Sequence, residues 1–495
     1  MRRWQDTPLL MFCVTFSVLI AACGTSDTAA DVPVERPNVV LIMSDDQGWG
    51  ETGYNGHPHL KAPVLDEIAA TALRLDRFYA ASPVCTPTRA SVMTGRHANR
   101  SGAFAPNWST RPEETTIAHI LKAAGYRTGH FGKWHLGAVK ENSPVNPRRM
   151  GFDEYLSHDN YFEMNPLLSR NGAPPRIVPG ESSEILVDEA IRFLRKVNSE
   201  DQPFFIVIWF ASPHDPYSGL DKDIALYRDV PNEEMQRRFA EITAMDRAIG
   251  TFRAALRELN LASNTLLWFN SDNGPPPVAN PQYSYNGGFR GEKSTLYEGG
   301  LRVPALIEWP AVIKTPRKSS VAGVTSDILP TILDLLALKH PDPDRPLDGI
   351  SLRSLIVDGK MNERPTPIGF WQYPFPTYGE IRREETKYER WISEELSRGT
   401  MPTAHSPGVD FRNYHHPQAK LEDFGGNAAW MDNRLKLVTG KPRDGRDRIE
   451  LYDLLADPRE TINIADQHPE IVHRMTEELL NWQQSIERSL SGADY

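Results

Sequence analysis

Three stretches of the chain are apolar at almost every position over the length of a β-strand: residues 38–43, 204–210 and 265–270. A strand that is apolar on both faces must be covered on both faces, as strands are in a parallel sheet flanked by helices. A fourth, shorter strand is predicted at the start of residues 126–137, where the chain breaks into a glycine-flanked loop. These runs constrain the chain to a fold built around a buried sheet.

Helical patterns lie between these strands. Amphipathic spacing predicts helices at residues 63–79, 115–124, 185–198, 233–260 and 326–337. Residues 140–180 are rich in Pro, Asn and Gly and are interpreted as long loops. Because strands alternate with helices, we predict an α/β fold with a large, mostly parallel sheet flanked by helices.

Polar side chains follow each of the four predicted strands. They are Asp45 and Asp46, Lys133 and His135, His214, and Asp272 and Asn273. Lys133 and His135 would point the same way if the backbone between them is extended. Ligands of parallel sheets bind at the carboxyl ends of the strands, so we expect these distant residues to share one site.

A cysteine precedes a further predicted helix. Pro87 suits the first turn of a helix, because its φ is fixed and its missing N–H is not needed there. Cys85 would then lie at the partly positive helix N-terminus beside Arg89, a place that stabilises an anion. Taken alone, a single Cys is more often a small buried apolar side chain.

The residues Cys85, Pro87, Arg89, Thr94 and Gly95 resemble the modification signature of the type I sulfatases, Cys-x-Pro-x-Arg followed by Thr-Gly. The run Gly-Lys-Trp-His-Leu-Gly at 132–137 resembles a second signature of that family. This resemblance spans about residues 36–340 and implies an alkaline-phosphatase-like fold and hydrolysis of sulfate esters. It also implies that a maturation enzyme oxidises Cys85 to formylglycine, whose hydrated aldehyde is the nucleophile.

A metal site is expected among the same residues. Asp45, Asp46, Asp272 and Asn273 offer only oxygen ligands, which Ca²⁺ and Mg²⁺ prefer. Three carboxylates on flexible loops favour Ca²⁺, with Mg²⁺ as the alternative. The family resemblance implies the same four ligands and adds Cys85, as formylglycine, to the set.

Sulfate ester hydrolysis develops negative charge that positioned cations can stabilise. By resemblance, Arg89 and Lys133 hold the formylglycine and the sulfate. His214 is assigned as the general acid, facing the leaving oxygen together with Lys293 from the glycine-rich segment 287–300. His135 is assigned as the base of the second step, in which sulfate leaves, and Asp272 as a group that helps to deprotonate the attacking hydroxyl.

The N-terminal segment indicates export. Residues 1–22 combine Arg2 and Arg3 with a short apolar stretch, which is typical of a signal peptide. The sequence Leu-Ile-Ala-Ala-Cys-Gly at 19–24 resembles a bacterial lipobox, so Cys23 is expected to carry lipid and anchor the protein at the cell envelope. An ordinary cleaved signal peptide is the alternative. Cys13 lies in the removed segment, which leaves Cys85 as the internal thiol of the mature chain.

Four parts of the chain are predicted: a signal peptide at 1–22, a tether at 23–36, a catalytic domain at 37–370 and a C-terminal subdomain at 371–495. In the last part, residues 430–438 and 449–454 are predicted strands joined by a basic turn, and 470–490 is an amphipathic helix. We therefore expect a small antiparallel sheet with a packed helix at the C-terminus.

The formal net charge of −10 argues against nucleic acid as a partner. The expected substrate is a sulfated oligo- or polysaccharide, such as an algal polysaccharide or glycosaminoglycan fragment. Trp108, Tyr161, Tyr217 and Arg290 either line a sugar site or are packing residues. Two alternatives stay open: a phosphonate or phosphate ester hydrolase of the alkaline phosphatase superfamily, and a glycan-binding lipoprotein without catalysis.

Overall fold

A computed structural model describes residues 36–106, 108–160, 164–277, 286–372, 425–440 and 448–495. Residues 36–495 form one compact unit. The predicted signal peptide, Cys23, nearly all of the tether, the basic turn of the C-terminal part and Tyr161 lie outside the described residues, so these stay predictions. Within the described ranges, no helix is both long enough and apolar enough to cross a bilayer.

The strands are short and numerous. They are β1 Asn38–Ser44, β2 Leu73–Leu75, β3 Phe78–Tyr79, β4 Arg127–Lys133, β5 Glu154–His158, β6 Leu167–Arg170, β7 Arg176–Ile177, β8 Phe204–Trp209, β9 Thr265–Ser271, β10 Arg302–Val303, β11 Ala305–Glu308, β12 Arg317–Ser319, β13 Gly323–Val324, β14 Ile368–Trp371, β15 Ala428–Asp432, β16 Leu435–Gly440 and β17 Arg448–Asp453.

The helices vary from a single turn to a long rod. They are α1 Pro63–Thr71, α2 Cys85–Thr94, α3 Ala98–Ser101, α4 Ile117–Ala123, α5 Ser182–Asn198, α6 Asp221–Ile224, α7 Glu233–Glu258, α8 Glu298–Leu301, α9 Ile328–Leu335, α10 Arg353–Val357 and α11 Pro469–Leu490. Short 3₁₀ turns occur at Gly53–Asn55, Ala225–Tyr227, Thr325–Asp327 and Ala465–Gln467.

The main sheet has ten strands in the order β12-β2-β11-β9-β1-β8-β4-β5-β6-β7. The run β9-β1-β8-β4-β5 is parallel throughout, whereas β11, β6 and β7 pair antiparallel with their neighbours. A second sheet orders β10-β3-β13. The predicted α/β fold with a large, mostly parallel sheet flanked by helices is therefore confirmed.

The central strand β1 explains why the apolar runs predicted this fold. Val39, Leu41 and Met43 pack into the core on one face of the sheet. Val40 and Ile42 pack into the core on the other face. Since successive side chains of a strand point to opposite faces, a strand covered on both sides has to be apolar at every position.

Three predicted segments differ from the structure. The helix predicted at 63–79 ends at Thr71, and the apolar pattern continues because the buried strands β2 and β3 follow at once. The predicted loops at 140–180 contain β5, β6 and β7. The single strand predicted at 430–438 is a hairpin of β15 and β16 that turns at Asn433, whose φ is +41°.

The small C-terminal sheet is antiparallel in the order β14-β15-β16-β17, and α11 packs against it, as predicted. The predicted domain boundary at 370/371 stays a prediction; β14 runs across it. A buried Lys436 ties this sheet to the larger part: its Nζ lies 3.2 Å from Glu298 Oε1 and 3.0 Å from Glu460 Oε1. All three side chains are excluded from solvent, so the ammonium group depends on these carboxylates.

Gly132 of β4 gives a first testable prediction. Its φ is +117°, and a Cβ at this position would lie 1.9 Å from the carbonyl oxygen of Trp209 on the paired strand β8. We expect Gly132→Ala to lower the free energy of unfolding by more than about 3 kcal/mol, because backbone strain and a backbone clash add together.

Gly180 is the matched control for this substitution. Its φ is +131°, but a Cβ there meets nothing closer than 3.5 Å. Gly180→Ala should therefore cost only the strain of its backbone conformation, about 1–3 kcal/mol. Urea denaturation of both variants measures the difference, and equal losses would show that the close approach to Trp209 is not what requires glycine.

Candidate active site

The carboxyl ends of the parallel strands bring the predicted polar residues together. β1 leads into Asp45 and Asp46, and its neighbour β9 leads into Asp272 and Asn273. β8, on the other side of β1, leads to His214, and β4 ends at Lys133 beside β8. Residues more than 200 positions apart thus meet: the Asp46 N–H donates to Asp272 Oδ1 over 3.0 Å.

Helix α2 delivers the cysteine to this place. The helix begins at Cys85, so the residue lies at its N-terminus as predicted. The Sγ atom lies 3.5 Å from Asp45 Oδ1 and 3.9 Å from Asp46 Oδ1. Burial raises the pKa of the Cys85 thiol well above its usual value, against the opposing effect of Lys133. The thiol is therefore held in its neutral form next to two carboxylates.

Three cations face the three carboxylates. Lys133 Nζ lies 2.6 Å from Asp45 Oδ2, and Lys293 Nζ lies 2.6 Å from Asp46 Oδ2. Arg89 Nη2 lies 2.7 Å from Asp272 Oδ2 and 3.5 Å from Asp45 Oδ2. When all three carboxylates are ionised the charges of this cluster balance, so an added divalent cation would give it the positive charge that an anionic ester needs.

The carboxylates of the cluster titrate differently. Although burial acts in the opposite direction, Lys133 and Arg89 hold the pKa of Asp45 far below its usual value. Burial and the neighbouring charge of Asp45 raise the pKa of Asp272 to about 7. Asp45 consequently stays ionised, whereas Asp272 is closer to exchanging a proton.

His214 and Lys293 lie side by side at the open edge of the cluster. His214 Nε2 is 3.4 Å from Lys293 Nζ and 3.6 Å from Asp46 Oδ2. Burial lowers the pKa of His214, although Asp46 raises it. The two side chains thus lie together at this edge, and their assignment to the leaving oxygen stays a prediction.

The backbone at His135 differs from the extended one considered in the sequence analysis. Its φ is +55°, so the backbone is not extended there and the alternation argument, which required an extended backbone, does not apply. Thr86, next to Cys85, instead donates its hydroxyl to the His135 carbonyl over 2.9 Å. Burial, with Lys133 and Arg89, lowers the pKa of His135 well below its usual value.

The residues around Cys85 could hold a metal ion. One ligand atom each of Asp45, Asp46, Cys85 and His214 lies within 4.8 Å of the others. Asn273 donates its amide group to Asp46 Oδ1 over 2.6 Å, and its buried Oδ1 has no hydrogen-bond partner among the described residues. Buried polar atoms are almost always paired, so this oxygen is available to a cation.

Asp272 is placed differently from the other predicted ligands. It lies outside the tight group, since its two oxygens accept the Asp46 N–H and pair with Arg89. His214, assigned above as an acid, is in that group. The predicted ligand set stays a prediction, and the structure adds an imidazole beside it.

His158 is a neighbour of Lys133 that the sequence did not indicate. It ends β5 and lies opposite Lys133 in the parallel pair of β4 and β5. Its carbonyl accepts the N–H of Trp134 over 2.9 Å. The segment around it was interpreted as loop, and the apolar pair Tyr155-Leu156 just before it was the signal of a short strand.

Of the four residues considered for a sugar site, the three in the described part of the chain have different surroundings. Trp108 is buried against Phe104 and Leu490, so the packing interpretation is correct for it. Arg290 is half-buried and stacks on Tyr297, with its Cζ 3.8 Å from the ring centroid. Tyr217 packs against the guanidinium of the buried Arg238 of α7, with the Arg238 Cζ 5.2 Å from its ring centroid.

Comparison with known proteins gives a consistent result. The family model described as Sulfatase matches residues 37–338. N-acetylgalactosamine-6-sulfatase of Sus scrofa is 32% identical over 382 residues, which are 70% of this chain and 70% of that protein. Ulvan-active sulfatase of Formosa agariphila is 31% identical over 72% of this chain and 73% of its own length.

Solved structures share the fold. The crystal structure of Ps i-CgsB in complex with k-i-k-neocarrahexaose superposes with a TM-score of 0.73 at 22% sequence identity. The superposition covers 90% of this chain and 93% of that chain. At this identity the likeness establishes the architecture.

Proposed function

The chain belongs to the sulfatase family and is a sulfuric ester hydrolase, and from that premise we propose that it acts on a sulfated carbohydrate through a formylglycine made from Cys85. The observation that carries the proposal is the arrangement around Cys85. Its Sγ lies between Asp45 and Asp46, and each of these carboxylates is held by its own lysine. Nucleophile, anion-binding cations and oxygen ligands thus share one buried pocket.

The formylglycine supplies two hydroxyls when hydrated: one attacks sulfur, and the other allows sulfate to be expelled. The chain's own side chains do the rest. Arg89 and Lys133 hold this group and the sulfate oxygens, because their guanidinium and ammonium groups are fixed beside Cys85 by Asp272 and Asp45. Such preorganised cations stabilise charge that develops during the reaction.

Proton transfer is assigned to the two histidines. His214, beside Lys293, faces the leaving oxygen and donates the proton that it needs. His135 takes the proton whose loss releases sulfate. His135 is buried, whereas His214 lies at the open edge of the cluster, where it can regain a proton from solvent after each turnover. Asp272 assists the first attack by accepting a proton.

A divalent ion would be held by Asp45, Asp46, Asp272, Asn273 and the modified Cys85, and would polarise the sulfate group. Ca²⁺ is the first choice, because these ligands offer oxygen atoms. Mg²⁺ is the second choice. The unpartnered Asn273 Oδ1 supports this assignment.

A carbohydrate substrate is supported by the relatives. One is named for N-acetylgalactosamine 6-sulfate, one for ulvan, and the neighbouring structure holds a neocarrahexaose. We propose an oligo- or polysaccharide that carries sulfate. The lipobox at Cys23 supports attachment to the bacterial cell envelope, where such polymers are accessible.

Two measurements on protein purified from its native host test the proposal. Mass spectrometry of the peptide that contains Cys85 should show the thiol replaced by an aldehyde oxygen. Sulfated oligosaccharides should be hydrolysed, and phosphate esters offered side by side should be poor substrates. An unmodified thiol that still reacts with alkylating reagents would contradict the mechanism, and glycan binding without turnover would favour a binding lipoprotein.

A further inference from the structure

Arg238 of α7 lies next to the site, and every N–H group of its guanidinium donates a hydrogen bond. A guanidinium has five N–H groups. Nε and Nη2 each donate to one oxygen of Glu51 over 2.7 Å. Nη2 also donates to the Asp46 carbonyl over 2.7 Å, and Nη1 donates to the Pro213 carbonyl over 2.7 Å and to the Tyr217 hydroxyl over 2.9 Å. The side chain is completely buried, so no water substitutes for these partners.

Two of these acceptors belong to the loops that carry site residues. Asp46 has a φ of +65°, a conformation that is costly for a residue other than glycine. Its N–H is held by Asp272, and its carbonyl is held by Arg238. Pro213 immediately precedes His214, whose Nε2 lies 3.6 Å from Asp46 Oδ2. The guanidinium therefore bridges the backbones of the two loops directly behind this pair.

Glu51 completes the bridge from the other side. Its Oε2 accepts the Gly48 N–H over 2.8 Å, and its carbonyl accepts the side-chain amide of Gln47 over 2.7 Å. The carboxylate thus fixes the same loop that Asp46 begins, and it neutralises Arg238 inside the protein. The loop cannot shift without breaking several buried hydrogen bonds at once.

On the basis of the proposed function, we propose that Arg238 is a positioning residue of the sulfatase reaction: it holds the Asp46 loop against the His214 loop and so sets the geometry of the metal ligand and the acid. It touches neither substrate nor reacting atoms. Its effect on turnover passes through Asp46 and His214.

The test compares Arg238→Lys with Arg253→Lys in the full mature protein. Lysine keeps the charge but places its donors at a single point, so it cannot span both loops and Glu51. Arg253 is the control: it lies on the same helix, is also buried and is paired to Glu308 and Glu67, which are more exposed than Glu51. Both variants should melt at a lower temperature than the wild type.

The expected result separates the two variants. Arg238→Lys should lower kcat about 100-fold at temperatures where it is fully folded, with KM nearly unchanged, because small misplacements of reacting groups have effects of this size. Its affinity for Ca²⁺ alone, measured by calorimetry, should fall about 10- to 100-fold. Arg253→Lys should keep wild-type kcat and Ca²⁺ affinity. Equal losses in both variants, or none in Arg238→Lys, would overturn the proposal.

A second variant with a smaller expected effect tests the proposal if Arg238→Lys does not fold. Tyr217→Phe removes one of the five hydrogen bonds of Arg238 and should lower kcat a few-fold at constant KM. A change confined to KM would mean that the hydroxyl serves the substrate, and it would count against the proposal. The Ca²⁺ titrations need no turnover, so they decide the role of Arg238 even if wild-type protein hydrolyses no sulfate ester.

Discussion

Replacement of Cys85 by alanine is expected to lower kcat for sulfate ester hydrolysis by about 10⁴-fold or more, because the side chain proposed to become the nucleophile is deleted. The fold should persist, since Cys85 is a small residue at a helix start and alanine is a good helix former. Melting followed by circular dichroism should show a stability within about 1 kcal/mol of the wild type. The rate is measured on the same sulfated oligosaccharide with both proteins.

Cys23→Ser is the matched control, because it removes the other cysteine that the mature chain is predicted to keep. It should leave the specific activity unchanged and shift the protein from the membrane fraction to the soluble one. If Cys85→Ala retains more than a few per cent of wild-type activity, the nucleophile has been assigned to the wrong residue. If Cys23→Ser stays with the membranes, the lipid anchor is wrong.

Replacement of Asp45 by asparagine is expected to have the second-largest effect, a loss of about 10³-fold in kcat/KM. Asp45 fixes Lys133 over 2.6 Å and contributes to the proposed metal site beside Cys85. The substitution also leaves a buried ammonium group without its counter-charge, which should lower the free energy of unfolding by about 3 kcal/mol or more in protein without metal. Steady-state kinetics and denaturant unfolding measure the two effects separately.

Asp327→Asn distinguishes catalysis from stability. Asp327 is as buried as Asp45 and is paired with Arg364, and it accepts the Val324 N–H over 2.8 Å, but it belongs to the 3₁₀ turn before α9. Its substitution should cost a similar amount of stability and leave kcat of the folded protein unchanged. A comparable loss of kcat in both variants would mean that Asp45 acts only by stabilising the fold.

The parallel core could be predicted because burial on both faces leaves an unmistakable pattern. β1, β8 and β9 begin at the predicted residues and end within one residue of the predicted ends. The edge strands β6 and β7 could not be predicted, because they depend on pairing with a neighbour rather than on their own apolar content. The overlong helix at 63–79 arose since a buried strand extends the same apolar pattern.

Only some of the site residues could be predicted from the sequence. Cys85 and Lys133 could be named because they lie in runs that resemble signatures of the sulfatase family. Arg238 is in no such run, and its essential partner Glu51 lies 187 residues away. The available signal was a charged residue on the apolar face of α7, between Met235 and Ile242, which implies a buried counter-charge.

Because β1 lies in the middle of the sheet, the site around it cannot be completed until much later parts of the chain have been synthesised. β1 is among the first strands to be synthesised, yet its partner β9 and the Asp272 that holds Asp46 come 226 residues later. At about 5–20 residues per second this interval lasts roughly 10–45 s. Cys85 follows Asp46 by 39 residues, so for most of this interval it has been made while the sheet that buries it is incomplete. An enzyme that modifies this thiol would find it accessible in that interval and enclosed afterwards.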